Sequence, residues 1–477
     1  MVERLKPDIC VIGAGSGGLS VAAAAAAFGV PVVLIEKGKM GGECLNTGCV
    51  PSKSLIAAGK RARMIAEAPA FGVTAQATDI DFSRVHDHVH GVIAAIAPND
   101  SKERFSGLGA HVIEGAARFK NRRTVVVGDA VEIRARRFVI ATGSSPALPL
   151  ILGLEAAPYL TNETIFDLTT CPEHLIVIGA GAIGLELAQA FRRLGAEVTV
   201  LEAGEPLSRD DPECATIVLD QLAREGVSVR SGVRVTRVEQ AQSKLHVVLG
   251  GATGEETITG SHLLIATGRQ ANVDGLNLKA ARIAIGPQGI VVNKRLRTTN
   301  RRVYAIGDVA GGAQFTHAAN YHAGLVIRNA LFRLKVRVDD DAIPRVTFTD
   351  PELAHVGLTE AQARGRGNGS GIHVLRWPYH DNDRAQAERE ARGHIKAVTD
   401  KRGRILGATI VGASAGELIT TWTLAISQGL NIRTVAGIVV PYPTLAEIGK
   451  RAAMTYFTPS LTSPWVRRII GLLRRFG

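Results

Sequence analysis

The first forty residues alternate between short apolar runs and glycine turns. Ile9 to Ile12 form a continuous apolar run, a glycine-rich turn follows, and an alanine-rich stretch leads to a second run, Val32 to Ile35, closed by Glu36. Short apolar runs bounded by glycine predict buried parallel strands, and the longer stretch between them predicts a helix. The rhythm recurs further along. "HLIVIGAGAIGLELAQAFRRLGAEVTVLE" overlies "DICVIGAGSGGLSVAAAAAAFGVPVVLIE" at one constant offset, so Gly13, Gly15, Gly18, Gly29 and Glu36 fall on Gly179, Gly181, Gly184, Gly195 and Glu202.

Each glycine of such a unit has its own physical task. The first permits a tight turn, the second lets the backbone approach a pyrophosphate, and the third lets the helix pack on the strand. The phosphate then rests on the helix N-terminus, where unpaired N–H groups and the dipole favour an anion. An acid about 20 residues on accepts hydrogen bonds from a ribose diol; Glu36 and Glu202 stand there. Two flanked copies predict two bound dinucleotides. Two further echoes, "VIATGSSP" and "LIATGRQAN", close each unit with a small-residue turn, and "VYAIGDVAG" is another strand, ending in Gly307-Asp308. The first unit, the cysteine stretch and the Asp308 segment are expected to form one discontinuous domain holding a flavin nucleotide. The inserted second unit is expected to hold an exchanging nicotinamide nucleotide. A carboxylate at Glu202 repels a 2′-phosphate, which favours NADH over NADPH, with Arg209 near enough in sequence to soften the preference.

Composition narrows the class. The chain has 477 residues, 46% hydrophobic and 21% charged, with 52 glycines and five cysteines. That cysteine usage excludes a secreted disulfide scaffold and points to a reducing compartment. Cys10, Cys171 and Cys214 stand apart and read as packing residues. The run Val21 to Ala27 is too short to span a bilayer, and the start lacks a signal pattern. Net charge is +12, yet no stretch interleaves aromatics with Lys and Arg, so nucleic acid is not an expected partner. A cytoplasmic location follows, with peripheral membrane attachment left open by residues 464–477. There Trp465, Val466, Ile469, Leu472, Leu473 and Phe476 share one helical face and Arg467, Arg468, Arg474 and Arg475 the other. An interfacial helix has this pattern; so has a helix packed on a neighbouring domain, the plainer expectation.

Cys44 and Cys49, in "GGECLNTGCVPSK", suit neither a zinc knuckle nor a CxxC motif. Pro51 suits a first helical turn, which puts Cys49 at a helix N-terminus, with Lys53 one turn on; both features stabilise a thiolate. Gly48 eases the bend needed to bring the sulfurs together. Beside a flavin, such a pair is a two-electron relay from nicotinamide to dithiol.

"GGECLNTGCVPSK", the two glycine units, "IGDV" and "FTDPELAHVG" closely resemble the class I pyridine nucleotide-disulfide oxidoreductases. That family includes dihydrolipoamide dehydrogenase, glutathione reductase and mercuric reductase. The resemblance runs from residue 7 to about 458 and implies an α/β fold, with two Rossmann-like dinucleotide-binding domains and a C-terminal α+β dimerisation domain. The implied limits are 1–148 with 271–343 for FAD, 149–270 for NAD(P), 344–460 for dimerisation, and a basic tail at 461–477. It implies a homodimer, with a thiol or disulfide acceptor. Cys49 becomes the flavin-proximal thiol, Cys44 the interchange thiol, and Lys53 with Glu186 an ion pair beneath the flavin. Gly13, Gly15, Gly18, Glu36, Gly42, Lys53, Gly115, Thr142, Gly143, Asp308, Thr316 and His317 are the implied FAD positions. Gly179, Gly181, Gly184, Glu202 and Gly268 are those of the nicotinamide nucleotide.

The pattern breaks once. Where the disulfide reductases have His-Pro-Thr, this chain has Tyr442-Pro443-Thr444, with Glu447 in register. The family's His, oriented by that Glu, moves protons across the dimer interface. Tyrosine titrates near 10, so only about one phenol in a thousand is ionised at neutral pH. General acid–base help is typically worth about 10²–10⁴-fold, and ordinary lipoamide or glutathione turnover is expected to be poor. Mercuric reductase carries Tyr at this place, and "HDNDRAQAE" also resembles that branch. It delivers metal through a C-terminal cysteine pair, however, and no cysteine follows Cys214. His355 and His380 remain candidate replacements for the missing His. "SRVHDHVHGVIAAI" reads as a helix that spreads His86, His88 and His90 around its axis, so no metal site is expected.

Overall fold

The computed structural model describes residues 2–74, 79–242, 244–251, 254–366, 371–461 and 463–476. Of the expected basic tail, residues 462 and 477 lie outside the described residues. The chain divides into two compact units: Met1–Ala180, Leu187–Ala203 and Arg230–Val338 form the first, Gly181–Glu186, Gly204–Val229 and Asp339–Gly477 the second.

The first unit contains the first repeat and the strands of the second, as read from the apolar pattern. In the first copy, strand Ile9–Ile12 leads through the glycine turn to helix Ser16–Ala27 and strand Val32–Glu36. These strands belong to a parallel sheet ordered Val303–Ala305, Arg137–Ile140, Ile9–Ile12, Val32–Glu36, Ala110–Glu114. One face packs on helices Ser16–Ala27 and Thr316–Ala330, through a core that includes Leu19, Val21, Leu34, Val139 and Val326. The other packs on a smaller sheet through Phe119, Val125, Ile133 and Phe138. Burial on both faces is why these strands read as unbroken apolar runs. In the second copy, Tyr159–Leu160, His262–Ile265, His174–Ile178 and Glu197–Leu201 run parallel in that order. An antiparallel sheet of Arg234–Ala241, Lys244–Gly251 and Gly254–Gly260 covers one face through Val238, Val247 and Leu249.

The second unit is built on an antiparallel sheet ordered Arg345–Thr347, Glu352–Gly357, Ile405–Gly412, His394–Asp400, Ile372–Pro378. Helices Ala415–Ser427, Ile432–Gly437 and Glu447–Thr455 close its core around the buried Trp422 and Tyr379. The mixed α/β class expected from the chain pattern is the one found.

The tail forms a helix, Pro464–Leu473, with no buried residue. One expectation is corrected. His355 is not available as a replacement acid. It is 1% exposed, with Nδ1 at 2.8 Å from Thr409 Oγ1 and Nε2 at 2.9 Å from the Gly357 carbonyl. Burial, with the nearby Arg345 charge, pushes its pKa down to about 4, so it is a neutral core histidine at pH 7. His380 remains exposed, 3.6 Å from Asp381. The His86 stretch is a helix, Phe82–Ile96, with the His86 and His90 ring centroids 4.2 Å apart and the planes tilted by 43°. Among the described residues no three His, Cys, Asp or Glu side chains gather as a metal-ligand group.

Candidate active site

Gly13 adopts φ 105°, and a Cβ there would lie 2.4 Å from the Ala141 carbonyl; a Cβ at Gly18 would lie 1.9 Å from the Gly13 carbonyl. These two positions exclude any side chain. The helix that follows starts on Gly15 with no side-chain cap and no acid in its first turn, so its N-terminal amides are left for an external anion. Glu36 stands over the turn, accepting from the Ala14 N–H at 2.5 Å and the Gly38 N–H at 2.8 Å. Gly115, at φ 148°, donates its N–H to the Glu36 carbonyl.

The cysteine segment lies across this turn. Gly41 donates to the Ala14 carbonyl at 3.0 Å, and Gly42 comes so close to Gly15 that a Cβ on it would sit 2.7 Å from the Gly15 Cα. Cys44 lies in the short helix Gly42–Asn46, and Cys49 is the first residue of helix Cys49–Glu67. Both are thiols, Cys49 exposed and Cys44 half-buried. The hydrogen bond to Cys49, then burial, pushes the Cys44 thiol far up. Cys49 stands at the N-terminus of its helix, a position that stabilises a thiolate. Thr316 Oγ1 lies 3.4 Å from Cys49 Sγ, and His317 stacks on Phe315 at 5.2 Å. Lys53 sits one turn into the Cys49 helix. Glu186 is buried and accepts the Phe348 N–H at 2.9 Å.

The two small-residue turns meet each other. Ser144–Pro146 and Arg269–Ala271 pair antiparallel. Thr142 Oγ1 donates to the Asn272 carbonyl, and Asn272 donates to Gly143 O through its N–H and to Thr142 O through its side chain. Gly268, at φ 150°, accepts from the Ala147 N–H. From this junction Arg269, its side chain only 11% exposed, bonds Glu43, donates to Ser144 Oγ at 2.8 Å, and lies 3.6 Å from Asp308. Ser144 in turn donates to Asp308 at 2.6 Å, and Asn162 donates to Glu43 at 2.8 Å. Burial raises the Glu43 pKa, and Arg269 opposes that rise. The sequence reading missed this network, although Glu43 and Arg269 both lie inside motifs it had singled out. Their pairing across more than two hundred residues leaves no trace in local spacing.

In the second unit Tyr442, 69% exposed, donates its phenol proton to Asp383 Oδ2 at 2.7 Å. That hydrogen bond and the Asp383 charge raise the phenol pKa. Glu447, expected in register with Tyr442, opens helix Glu447–Thr455 and faces Arg451 at 4.0 Å. The remaining cysteines are packed: Cys10 is fully buried, Cys214 sits 3.6 Å from His394, and Cys171 donates to the Leu194 carbonyl.

Two dinucleotide units and a cysteine pair on the first of them define a flavin- and nicotinamide-linked redox protein. Comparison with known proteins agrees. The family described as pyridine nucleotide-disulphide oxidoreductase matches residues 7–323, and its dimerisation domain matches residues 343–453. A mercuric reductase of Lysinibacillus sphaericus is 37% identical over 96% of this chain and 84% of its own. A dihydrolipoyl dehydrogenase of Thermus scotoductus is 36% identical over 92% and 95%. Among solved structures, the Cu(II) complex of the HOCl-induced flavoprotein disulfide reductase RclA from Escherichia coli has a TM-score of 0.84 at 29% identity, covering 94% of this chain and 99% of that one. The chain belongs to the pyridine nucleotide-disulphide oxidoreductase family. It is thus an oxidoreductase of an FAD-dependent, pyridine-nucleotide-linked group, and it carries that group's dimerisation domain. Among the described residues no helix is long and apolar enough to cross a membrane.

Proposed function

We propose that the chain is an FAD-dependent NAD(P)H oxidoreductase that reduces the Cys44–Cys49 pair and, through it, a disulfide or related thiol-reactive acceptor. The observation carrying this reading is the cysteine segment's position on the first glycine turn, with Cys49 opening a helix. The residues fit FAD: an uncapped helix N-terminus for the pyrophosphate beside Gly13, Gly15, Gly18 and Gly42, Glu36 for the adenosine ribose, and Asp308, Thr316 and His317 toward the rest. Bound FAD supplies two-electron exchange between a nicotinamide and a disulfide. We assign Glu202 to the ribose of the nicotinamide nucleotide. Its carboxylate accepts the Ala180 N–H at 2.8 Å and there repels a 2′-phosphate, which favours NADH.

The chain's own chemistry is thiol exchange. Two electrons and two protons open the Cys44–Cys49 disulfide to a dithiol. Cys44 loses its proton and attacks an acceptor disulfide; one sulfur leaves as thiolate and takes a proton. Cys49 then attacks Cys44 in the mixed disulfide, restoring the intramolecular bond and releasing the second thiolate, which is protonated in turn. Tyr442 is our assigned proton donor. Asp383 orients the phenol and keeps it protonated, so Tyr442 carries a proton to give at neutral pH, although the raised pKa makes it a weaker acid than a free phenol.

The test is an anaerobic titration of the holoprotein with NADH and then NADPH, followed by absorbance. A long-wavelength thiolate charge-transfer band at two electrons per subunit, absent in Cys49→Ser, is expected. Direct bleaching without the band removes the cysteines from the circuit.

A second reading, a thiol-bound metal ion as acceptor, draws support from the likeness to mercuric reductases. Hg(II)-dependent NADH oxidation in excess thiol, abolished in Cys44→Ser, favours it; absence of that activity removes it.

A further inference from the structure

The helix Pro464–Leu473 and the turn after it carry no residue of the site described above, and their pattern has a separate meaning. At 3.6 residues per turn, Trp465, Val466, Ile469, Ile470, Leu472, Leu473 and Phe476 fall within an arc of about 160°. Arg467, Arg468, Arg474 and Arg475 occupy the opposite side. A helix this apolar on one side ordinarily buries that side against its own domain. Here Trp465 is 67% and Phe476 81% exposed. The face is large, continuous and uncovered.

Charge decides what covers it. After Glu447 the sequence has no Asp or Glu, while it carries Lys450, Arg451 and the four arginines of this segment. The arginines flank the apolar arc: by helical angle, Arg468 lies next to Leu472 and Arg474 next to Ile470. A helix lying in a membrane plane needs that arrangement, with the apolar side in the acyl boundary and long cationic side chains reaching outward to phosphates. Trp465 suits the level where hydrocarbon meets headgroups. A second copy of the chain fits less well. Pairing two such helices face to face brings their arginine rows together with no carboxylate from either segment between them, and the segment lies beyond the matched dimerisation domain, which ends at residue 453.

We propose that residues 464–476 are a membrane-surface anchor that docks the protein on anionic lipid. Each protomer of a homodimer carries one such helix, so two weak contacts act together, and the second gains from the first through effective concentration. The oxidoreductase domain would then work at a bilayer surface without any spanning segment.

The experiment is co-sedimentation of the holoprotein with vesicles of phosphatidylcholine alone and of phosphatidylcholine with one part in three phosphatidylglycerol. Expected is binding to the anionic vesicles that falls steeply with salt and is lost when the chain is stopped before Trp465. Replacing the four arginines by glutamine is expected to lower partitioning on the order of a thousandfold. Ile469→Asp with Leu472→Asp is expected to abolish the blue shift of Trp465 emission on anionic vesicles, with NADH oxidation in solution unchanged. Equal sedimentation of intact and truncated protein overturns the proposal. So does equal binding to neutral vesicles, which removes the role of charge. A truncation that turns dimer into monomer, with no vesicle binding by the intact protein, overturns it in favour of a contact between copies.

Discussion

The two glycine-turn units are built alike but covered differently. Gly13 and Gly179 have φ of 105° and 110°, each donates to the strand beside it at 2.8 Å, and a Cβ on either would lie 2.4 Å from a carbonyl, of Ala141 or Ala266. Glu36 and Glu202 both reach back to the amide after the first glycine, that of Ala14 or Ala180. The difference lies above the second glycine. Gly41 and Gly42 are laid across Gly15, while among the described residues, its own chain neighbours aside, nothing comes within 4 Å of where a Cβ of Gly181 would be. A turn roofed by the segment that carries the thiols suits a nucleotide that stays; an open one suits a nucleotide that comes and goes. One sequence device thus occurs twice under different covers, which under the proposed function suit a resident and an exchanging nucleotide.

The sharpest break of this comparison is Cys49→Ser. It leaves both turns intact, so NADH is expected still to reduce the protein. Turnover with a disulfide acceptor is expected to fall by at least about a thousandfold, as when a covalent nucleophile is lost. Steady-state rates with each acceptor check this.

Arg269→Ala comes next. It removes the guanidinium that the second glycine turn's closing segment lends to Glu43 and Asp308, whose side chains are half-buried; breaking a fully buried pair costs about 3–5 kcal/mol, and a loss near or below the lower figure is expected. The sign of its pH dependence is fixed. Without Arg269 the already raised Glu43 pKa rises further, and stability is lost as pH climbs through that folded value. The deficit in denaturant unfolding is therefore expected to be larger at pH 7.5 than at pH 5.

Gly42→Ala and Gly181→Ala form a matched pair. The first meets Gly15 at 2.7 Å with φ at 60°, so strain of about 1–2 kcal/mol before any clash, with FAD released on gel filtration, is expected. The second meets nothing described; unchanged melting and a raised KM for NADH are expected, and equal FAD loss in both would erase the contrast.

The smallest effect expected is that of Glu202→Ala. A shift of about tenfold in the NADH to NADPH ratio of kcat/KM, near 1.4 kcal/mol, is expected, read from initial rates. No shift would mean that Glu202 does not choose the nucleotide.

Much was legible along the chain because the relevant physics is local. Strand, turn, helix and acid follow one another within thirty residues, and a φ such as the 105° of Gly13 or the 110° of Gly179 favours glycine. The helical start at Cys49 was readable from Gly48 and Pro51 for the same reason, as was the helix through His86, His88 and His90. Pairings between distant segments were not readable. The sequence by itself determined the two dinucleotide turns, the thiol pair and the amphipathic tail, since each is written in neighbouring residues. Only the tertiary structure decided that Arg269 ties Glu43 to Asp308, that Tyr442 leans on Asp383, that His355 is a core residue, and that the tail's apolar face is uncovered. Each of those depends on which distant surfaces meet and exclude water, and spacing along the chain carries no record of that.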